Sequence, residues 1–276
     1  MVENYSHPVV YISDCRDDNT QGRLKSRVAT LFKDSNITFV GVRDDIEAAI
    51  NLVDMIDAYD GAPGVILANV ARREGHAKKW PNGTPFGHFR IGELDIFTTI
   101  DGYILSLVQK LLDHDITVDI YDIPSVVPHM QGLSPEKQEH IINTQFRSFD
   151  YLPRLAAHIM AGEQLPKTDT FTQVPLIPNA VCWVDSFGNL KTNILPEEVN
   201  FEVGKNVIVR VGPNKQLRLP CYNRLKDIPD NTVAFTIGSS GMGEKRFLEI
   251  MQQGKSAAYA LGMGSGTLIE YVETVD

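Results

Sequence analysis

The feature that most constrains this chain is a change of hydrophobic period near residue 161. Before it, short apolar runs alternate with segments of helical spacing. "PVVYIS" at 8–13, running up to Asp14, "ITFVGV" at 37–42, "GVILANV" at 64–70, "DIFTTI" at 95–100 and "TVDIYDI" at 117–123 read as buried strands. Between them, residues 20–33 place Leu24, Val28 and Leu31 on one helical face. "DDIEAAINLVDMIDAY" opens with acids suited to the positive end of a helix dipole and aligns Ile46, Ile50, Val53 and Ile56. Residues 103–112 and 135–161 are helical in pattern. Strands that alternate with helices predict an α/β layer with a mostly parallel, Rossmann-like sheet. Such sheets bind ligands at the carboxyl ends of their strands. Asp14, Asn69 and Asp101 stand at such ends.

Beyond residue 161, "GEQLPKTDTFTQVPLIP" carries Pro166, Pro175 and Pro178 without a clear period and reads as a linker. The remainder is short alternating runs: "AVCWVD", "NVIVRVGPNKQLRL" with a turn at Gly212-Pro213-Asn214, "TVAFTIG" and "TLIEYVETV". This pattern predicts a small all-β barrel or sandwich, with the barrel as the expected form. The expected division is therefore 1–163 as an α/β domain, 164–179 as linker and 180–276 as a β-barrel domain. A chain of 276 residues has length enough for two cores.

Charge and cysteine content narrow the class of function. A net charge of −9 opposes a general nucleic-acid or anionic-membrane surface. No apolar stretch approaches the roughly 20 residues that cross a bilayer. The 3 cysteines, Cys15, Cys182 and Cys221, form no CxxC pair and have no histidine at metal spacing. No secretory pattern opens the sequence, so a reduced, cytoplasmic setting without a bound metal is expected.

Two polar stretches follow strands in the second half. "VDSFGNLKTN" at 184–193 has turn-forming residues throughout, so it suits a hairpin or a backbone corner built to hold a polar ligand. "IGSSGMGEK" at 237–245 reads as a second loop of the same kind. It is not a nucleotide P-loop, because Glu244 stands where the phosphate-binding lysine is needed. "GMGSG" at 262–266 does not lie between a strand and a helix, so it fails the dinucleotide fingerprint too.

In these stretches the sequence resembles the SAM hydroxide adenosyltransferases, relatives of the halogenating enzymes that act on S-adenosylmethionine (SAM). The family's D-x-F-G-N-x-x-T-N is matched by Asp185, Phe187, Gly188, Asn189, Thr192 and Asn193. Its S-S-G, L-E-I and G-S-A-A-x-x-L-G elements resemble Ser239-Ser240-Gly241, Leu248-Glu249-Ile250, and Ser256-Ala257-Ala258 through Leu261-Gly262. In the first half, Asp14 takes the place of the family's ribose-gripping Asp, Asp101-Gly102 that of its strand-end turn, and "YLPRLAAHIMAG" that of the domain's closing helix. The resemblance implies an α/β domain plus a β-barrel and a homotrimer with each site between neighbouring subunits. It further implies that Asp185 and Asn189 hold the methionine ammonium and carboxylate, with help from Ser239 and Ser240, and that the segment around Glu249 and Gln252 edges the adenine. A zwitterion needs an anion at one end and donors at the other, which these residue types supply.

The chain departs from the family at the hydrolytic Asp-Arg-His set. Ala71, or Asn69 if the gap moves, stands where the Asp belongs, and Arg147-Ser148-Phe149-Asp150 replaces H-G-R-D. In compensation, Arg72, Arg73, His76, Lys78, Lys79, Trp80, His88 and Arg90 crowd one segment, which reads either as a solvated basic loop or as a polar lid. Substitution at C5′ of SAM expels a neutral thioether, so it depends on an aligned, desolvated nucleophile more than on an acid. Asn69, Arg73 and His76 are the candidates to hold that nucleophile. The expected reaction is hydrolysis of SAM to adenosine and L-methionine without a cofactor. The alternatives are a non-catalytic SAM or adenosine binder, and an adenosyltransferase with another nucleophile or nucleoside.

Overall fold

The computed structural model describes residues 7–71, 80 and 83–276. The chain divides into two compact units, Met1–Pro175 and Leu176–Asp276.

The first unit is built on a seven-stranded sheet in the order β2-β1-β3-β5-β4-β6-β7. Its strands are β1 (Val9–Ser13), β2 (Ile37–Gly41), β3 (Gly64–Asn69), β4 (Phe86–Ile91), β5 (Leu94–Thr99), β6 (Val118–Tyr121) and β7 (Asp169–Phe171). The pairs β1–β2, β1–β3 and β3–β5 are parallel, whereas β4–β5, β4–β6 and β6–β7 are antiparallel. The expected strands are present, and the sheet is mixed because two others join them. One is β4, which forms a hairpin with β5 and moves His88 and Arg90 out of the supposed basic loop. Both bind Asp95 on β5, His88 Nε2 at 2.7 Å and Arg90 Nε at 3.3 Å from Asp95 Oδ1. The other is β7, a short edge strand within 164–179.

Helices cover the sheet: α1 (Asp18–Leu31), α2 (Asp45–Tyr59), α3 (Ser106–Leu111), α4 (Ile123–Val126), α5 (Pro135–Ile142), α6 (Arg147–Asp150) and α7 (Leu152–Met160). Asp17 caps α1 by accepting from Thr20 N, and Asp44 caps α2 by accepting from Ile46 N and Glu47 N. Each cap satisfies amides that the first turn leaves without partners. The helical pattern over 135–161 is divided among three helices. Thr144 breaks it, donating through Oγ1 to Asp150 Oδ2 and accepting from Phe146 N. Leu24 and Val28 of α1 pack with Val9, Tyr11, Leu67, Phe97 and Leu155 in the buried core. Every residue of β1 and β3 is buried, as strands covered on both faces must be.

The second unit is a curled seven-stranded sheet in the order β14-β10-β11-β12-β13-β9-β8. Its strands are β8 (Val181–Val184), β9 (Leu190–Thr192), β10 (Asn206–Val211), β11 (Lys215–Tyr222), β12 (Val233–Met242), β13 (Lys245–Gln252) and β14 (Glu270–Val275), with one short α-helix, α8 (Ala257–Leu261). The residues that lead into β8 and β14 are joined by an isolated Ala180–Leu268 bridge and by the Val181 N to Thr267 O and Ile269 N to Asn179 O bonds. The β9 and β13 strands fall in polar motifs whose alternation is masked by charged residues. Residues 237–242, read as loop, continue β12 through a bulge between Ile237 and Gly241.

Candidate functional site

In the first unit β1, β3 and β5 are neighbours, so their carboxyl ends bring Asp14, Asn69 and Asp101 to one rim of the sheet. Ser13 pairs with Asn69 across β1 and β3. Asp14 N donates to Asn69 O at 3.4 Å, and Asp14 Oδ2 accepts from Ala71 N at 3.3 Å. Thr99 Oγ1 fastens the next turn, donating to Val70 O and accepting from Val70 N. Asn69 and Asp101 are buried at 9% and 7% exposure, so neither is an ordinary solvated loop residue. Arg72, Arg73, His76, Lys78 and Lys79 lie outside the described residues.

The second unit gathers the motif segments. Asp185 Oδ1 accepts from Phe187 N and Asn189 N, each at 2.9 Å, and its Oδ2 accepts from Asn189 Nδ2 at 2.9 Å. The carboxylate thus closes its own loop. Gly188 follows at φ +82°, where a Cβ would stand 2.0 Å from Ser256 Oγ. Only glycine meets both demands. Gly188 O also accepts from Ala258 N, so the D-x-F-G-N loop seats against the start of α8, which Ser256 caps.

Lys191, a position that the motif leaves unspecified, joins this loop to the other elements. Its ammonium lies 2.5 Å from Glu249 Oε1, 3.2 Å from Ser239 Oγ and 4.0 Å from Asp185 Oδ2. Glu249 Oε1 also accepts from Ser239 N at 2.8 Å. Gly238 permits the approach, since a Cβ there would fall 2.3 Å from Glu249 Cγ. The register pairs Trp183 with Lys191, Lys191 with Glu249, and Glu249 with Thr236, which forms one row on one face of the sheet. Two buried polar atoms in that row, Trp183 Nε1 and Glu249 Oε2, have no hydrogen-bond partner among the described residues. Buried polar groups are nearly always paired, so this face has capacity for a polar occupant.

Other motif residues have structural tasks. Asn193 accepts from Ala180 N and donates to Pro178 O, while Thr192 Oγ1 donates to Leu248 O. Glu249 and Gln252, in the segment expected to edge the adenine, do not share a face. Three residues apart on a regular strand, their side chains leave opposite faces. Gln252 instead donates to Asn231 O. Ser240 is buried at 3% exposure, while its neighbour Ser239 is open to solvent. Among the described residues no group of three or more His, Cys, Asp or Glu is placed to hold a metal, and no helix is long and apolar enough to cross a membrane.

Residues 179–270 match the family described as "SAM hydroxide adenosyltransferase C-terminal domain". The family resemblance holds over this span. The matched span contains the Asp185 loop, Lys191, Ser239, Glu249 and Ser256, and it supports an activity that uses SAM. No curated protein matches the chain in sequence. Among solved structures, an uncharacterized conserved protein from Thermotoga maritima is similar at 18% identity and a TM-score of 0.68, covering 96% of this chain and 100% of that one. A conserved hypothetical protein from Thermus thermophilus gives 18% identity and a TM-score of 0.60 over 96% and 100%. At such identity the likeness is one of fold.

Proposed function

We propose that the protein binds SAM and catalyses attack of water or hydroxide on its C5′ carbon. The C5′–O bond forms as the C5′–S bond breaks, the electron pair leaves on sulfur, and the water proton passes to solvent. The products are adenosine and L-methionine. The observation that carries this reading is the convergence of four separated motif segments, at Asp185–Asn189, Ser239, Glu249 and Ser256, inside the matched domain. Ser239, Asn189 and the Lys191–Asp185 pair offer the donors and the anion that an amino-acid zwitterion needs. Asp14 and Asp101 would take the ribose hydroxyls, and Asn69 with Arg73 and His76 would align the nucleophile. In this reading the protein is a homotrimer, each site joining the strand ends of one subunit to the motif face of the next.

The test is incubation of purified protein with SAM in 18O-labelled water, followed by mass spectrometry. The expected product is adenosine carrying the label at O5′. Stoichiometric SAM binding without product over hours would establish a binding module in its place, and a product lacking the label would point to another nucleophile. Asn69→Asp, which restores the family's acid, is expected to raise adenosine formation about tenfold or more. An unchanged rate would remove Asn69 from the nucleophile's surroundings.

A further inference from the structure

A groove of about 530 Å3 runs along α1 and is walled by Phe149 of α6. Asn19, Arg23 and Arg27 follow one another at four-residue spacing, with Ser26 and Thr30 beside them. That spacing places all five side chains on one helical stripe. Gly22 leaves the stripe open, since a Cβ there would meet nothing within 4 Å.

Among the described residues the two arginines are held by rings and not by carboxylates. Arg23 Cζ lies 4.7 Å from the Phe146 centroid and 5.0 Å from that of Phe149, and Arg27 Cζ lies 4.3 Å from the Phe149 centroid. Phe146 and Phe149 are themselves stacked at 5.2 Å. Stacking fixes a guanidinium while leaving its N–H edge free to donate. Arg27 Nε is buried and has no hydrogen-bond partner among the described residues. Burial and, after it, the Arg27 charge hold the Arg154 guanidinium below the usual arginine range, so the local excess of positive charge is felt. Among the described residues neither arginine has an acid partner, which is unexpected in a chain of net charge −9. Asp18 brings the one carboxylate of the lining, at the amino end of α1, and this directs an anion toward Arg27.

We infer that this groove is a binding site for a compact anion of the phosphate class, either inorganic phosphate or the phosphoryl end of a phosphomonoester. Arg23 and Arg27 would fork its oxygens, and the Ser26 hydroxyl and the Asn19 amide would complete the donor set. Arginine suits this task because its planar donors match phosphate oxygens in pairs. Phe149 has its faces occupied by the guanidiniums and Phe146, so the ring is a support for the cations and not a stacking platform.

The experiment is calorimetric titration of the whole protein with inorganic phosphate at constant ionic strength, repeated with ribose 5-phosphate and with ribose. Saturable binding of phosphate is expected. Tighter binding of ribose 5-phosphate than of phosphate would identify a phosphomonoester as the occupant, equal binding would identify the free ion, and ribose alone is expected to give no heat. Arg27→Gln, which keeps the stem over Phe149, should weaken phosphate binding about tenfold, the loss of one charge-assisted contact. Arg27→Lys should restore part of the loss, and Lys33→Gln, outside the groove, should change nothing. Circular dichroism on each variant separates lost binding from lost fold. The absence of saturable phosphate binding, or equal affinity in the wild type and in Arg23→Gln/Arg27→Gln, would overturn the assignment.

Discussion

Lys191 and Glu249 show how a side chain without a motif of its own can govern a site. Their contact at 2.5 Å is buried, with side-chain exposures of 9% and 1%. Desolvation makes such a pair a weak source of net stability, but removal of one member strands the other charge. Lys191→Met should therefore cost about 3–5 kcal/mol, and Glu249→Gln a similar amount, moderated by Asp185 at 4.0 Å from the ammonium. The double variant should be less destabilised than the sum of the singles by about 1–3 kcal/mol. Urea denaturation of the four proteins gives this coupling directly, and simple additivity would mean that the two charges do not depend on each other. The same pair sets the polarity offered to a ligand, because one buried ammonium balances one of two nearby carboxylates.

At the level of elements, β13 is the centre of the second unit: it pairs with β12 on one side and β9 on the other. The Thr-Asn end of the motif ties this centre to the strand edge. Asn193→Ala would leave Ala180 N and Pro178 O without their side-chain partner and should destabilise the protein by about 1–3 kcal/mol. A loss well under 1 kcal/mol by thermal melting would show that Asn193 is not a tie between elements. In the first unit, Tyr59 at the end of α2 donates to Pro8 O and Val65 O, fastening the helix to the entries of β1 and β3. Burial pushes its phenol up to about 12. The folded state therefore keeps a proton that the unfolded chain releases near pH 10, so this contribution is complete below pH 10 and is lost as pH rises toward 12. Stability measured across that window should fall less steeply in Tyr59→Phe. Tyr11 and Tyr151, raised well above the ordinary phenol value by burial, act in the same direction. Parallel slopes for the wild type and Tyr59→Phe would contradict the Tyr59 contribution.

For the whole molecule, the segment 172–178 lies at the boundary of two units with separate cores. It has no regular structure, and Leu176 in it is 90% exposed. Exposed backbone outside helices and sheets is where proteases cut first. Limited proteolysis should release fragments that divide within 172–178, and mass spectrometry should find them before cuts inside either sheet. Early cleavage within β10–β13 would contradict two independent cores. The sequence by itself determined the strand-and-helix alternation of the first unit, the placing of Asp14, Asn69 and Asp101 at strand ends, and the motifs of the second unit. These are local signals, carried by periods of a few residues or by turn chemistry. The tertiary structure alone decided that β4 and β7 join the sheet, that Ser239 and Ser240 lie on a bulged strand, that Glu249 and Gln252 face opposite ways, and that Lys191 meets a glutamate 58 residues away. Pairings at such separation leave no periodic trace, because the energy that selects them exists only when both partners are desolvated together in the folded chain.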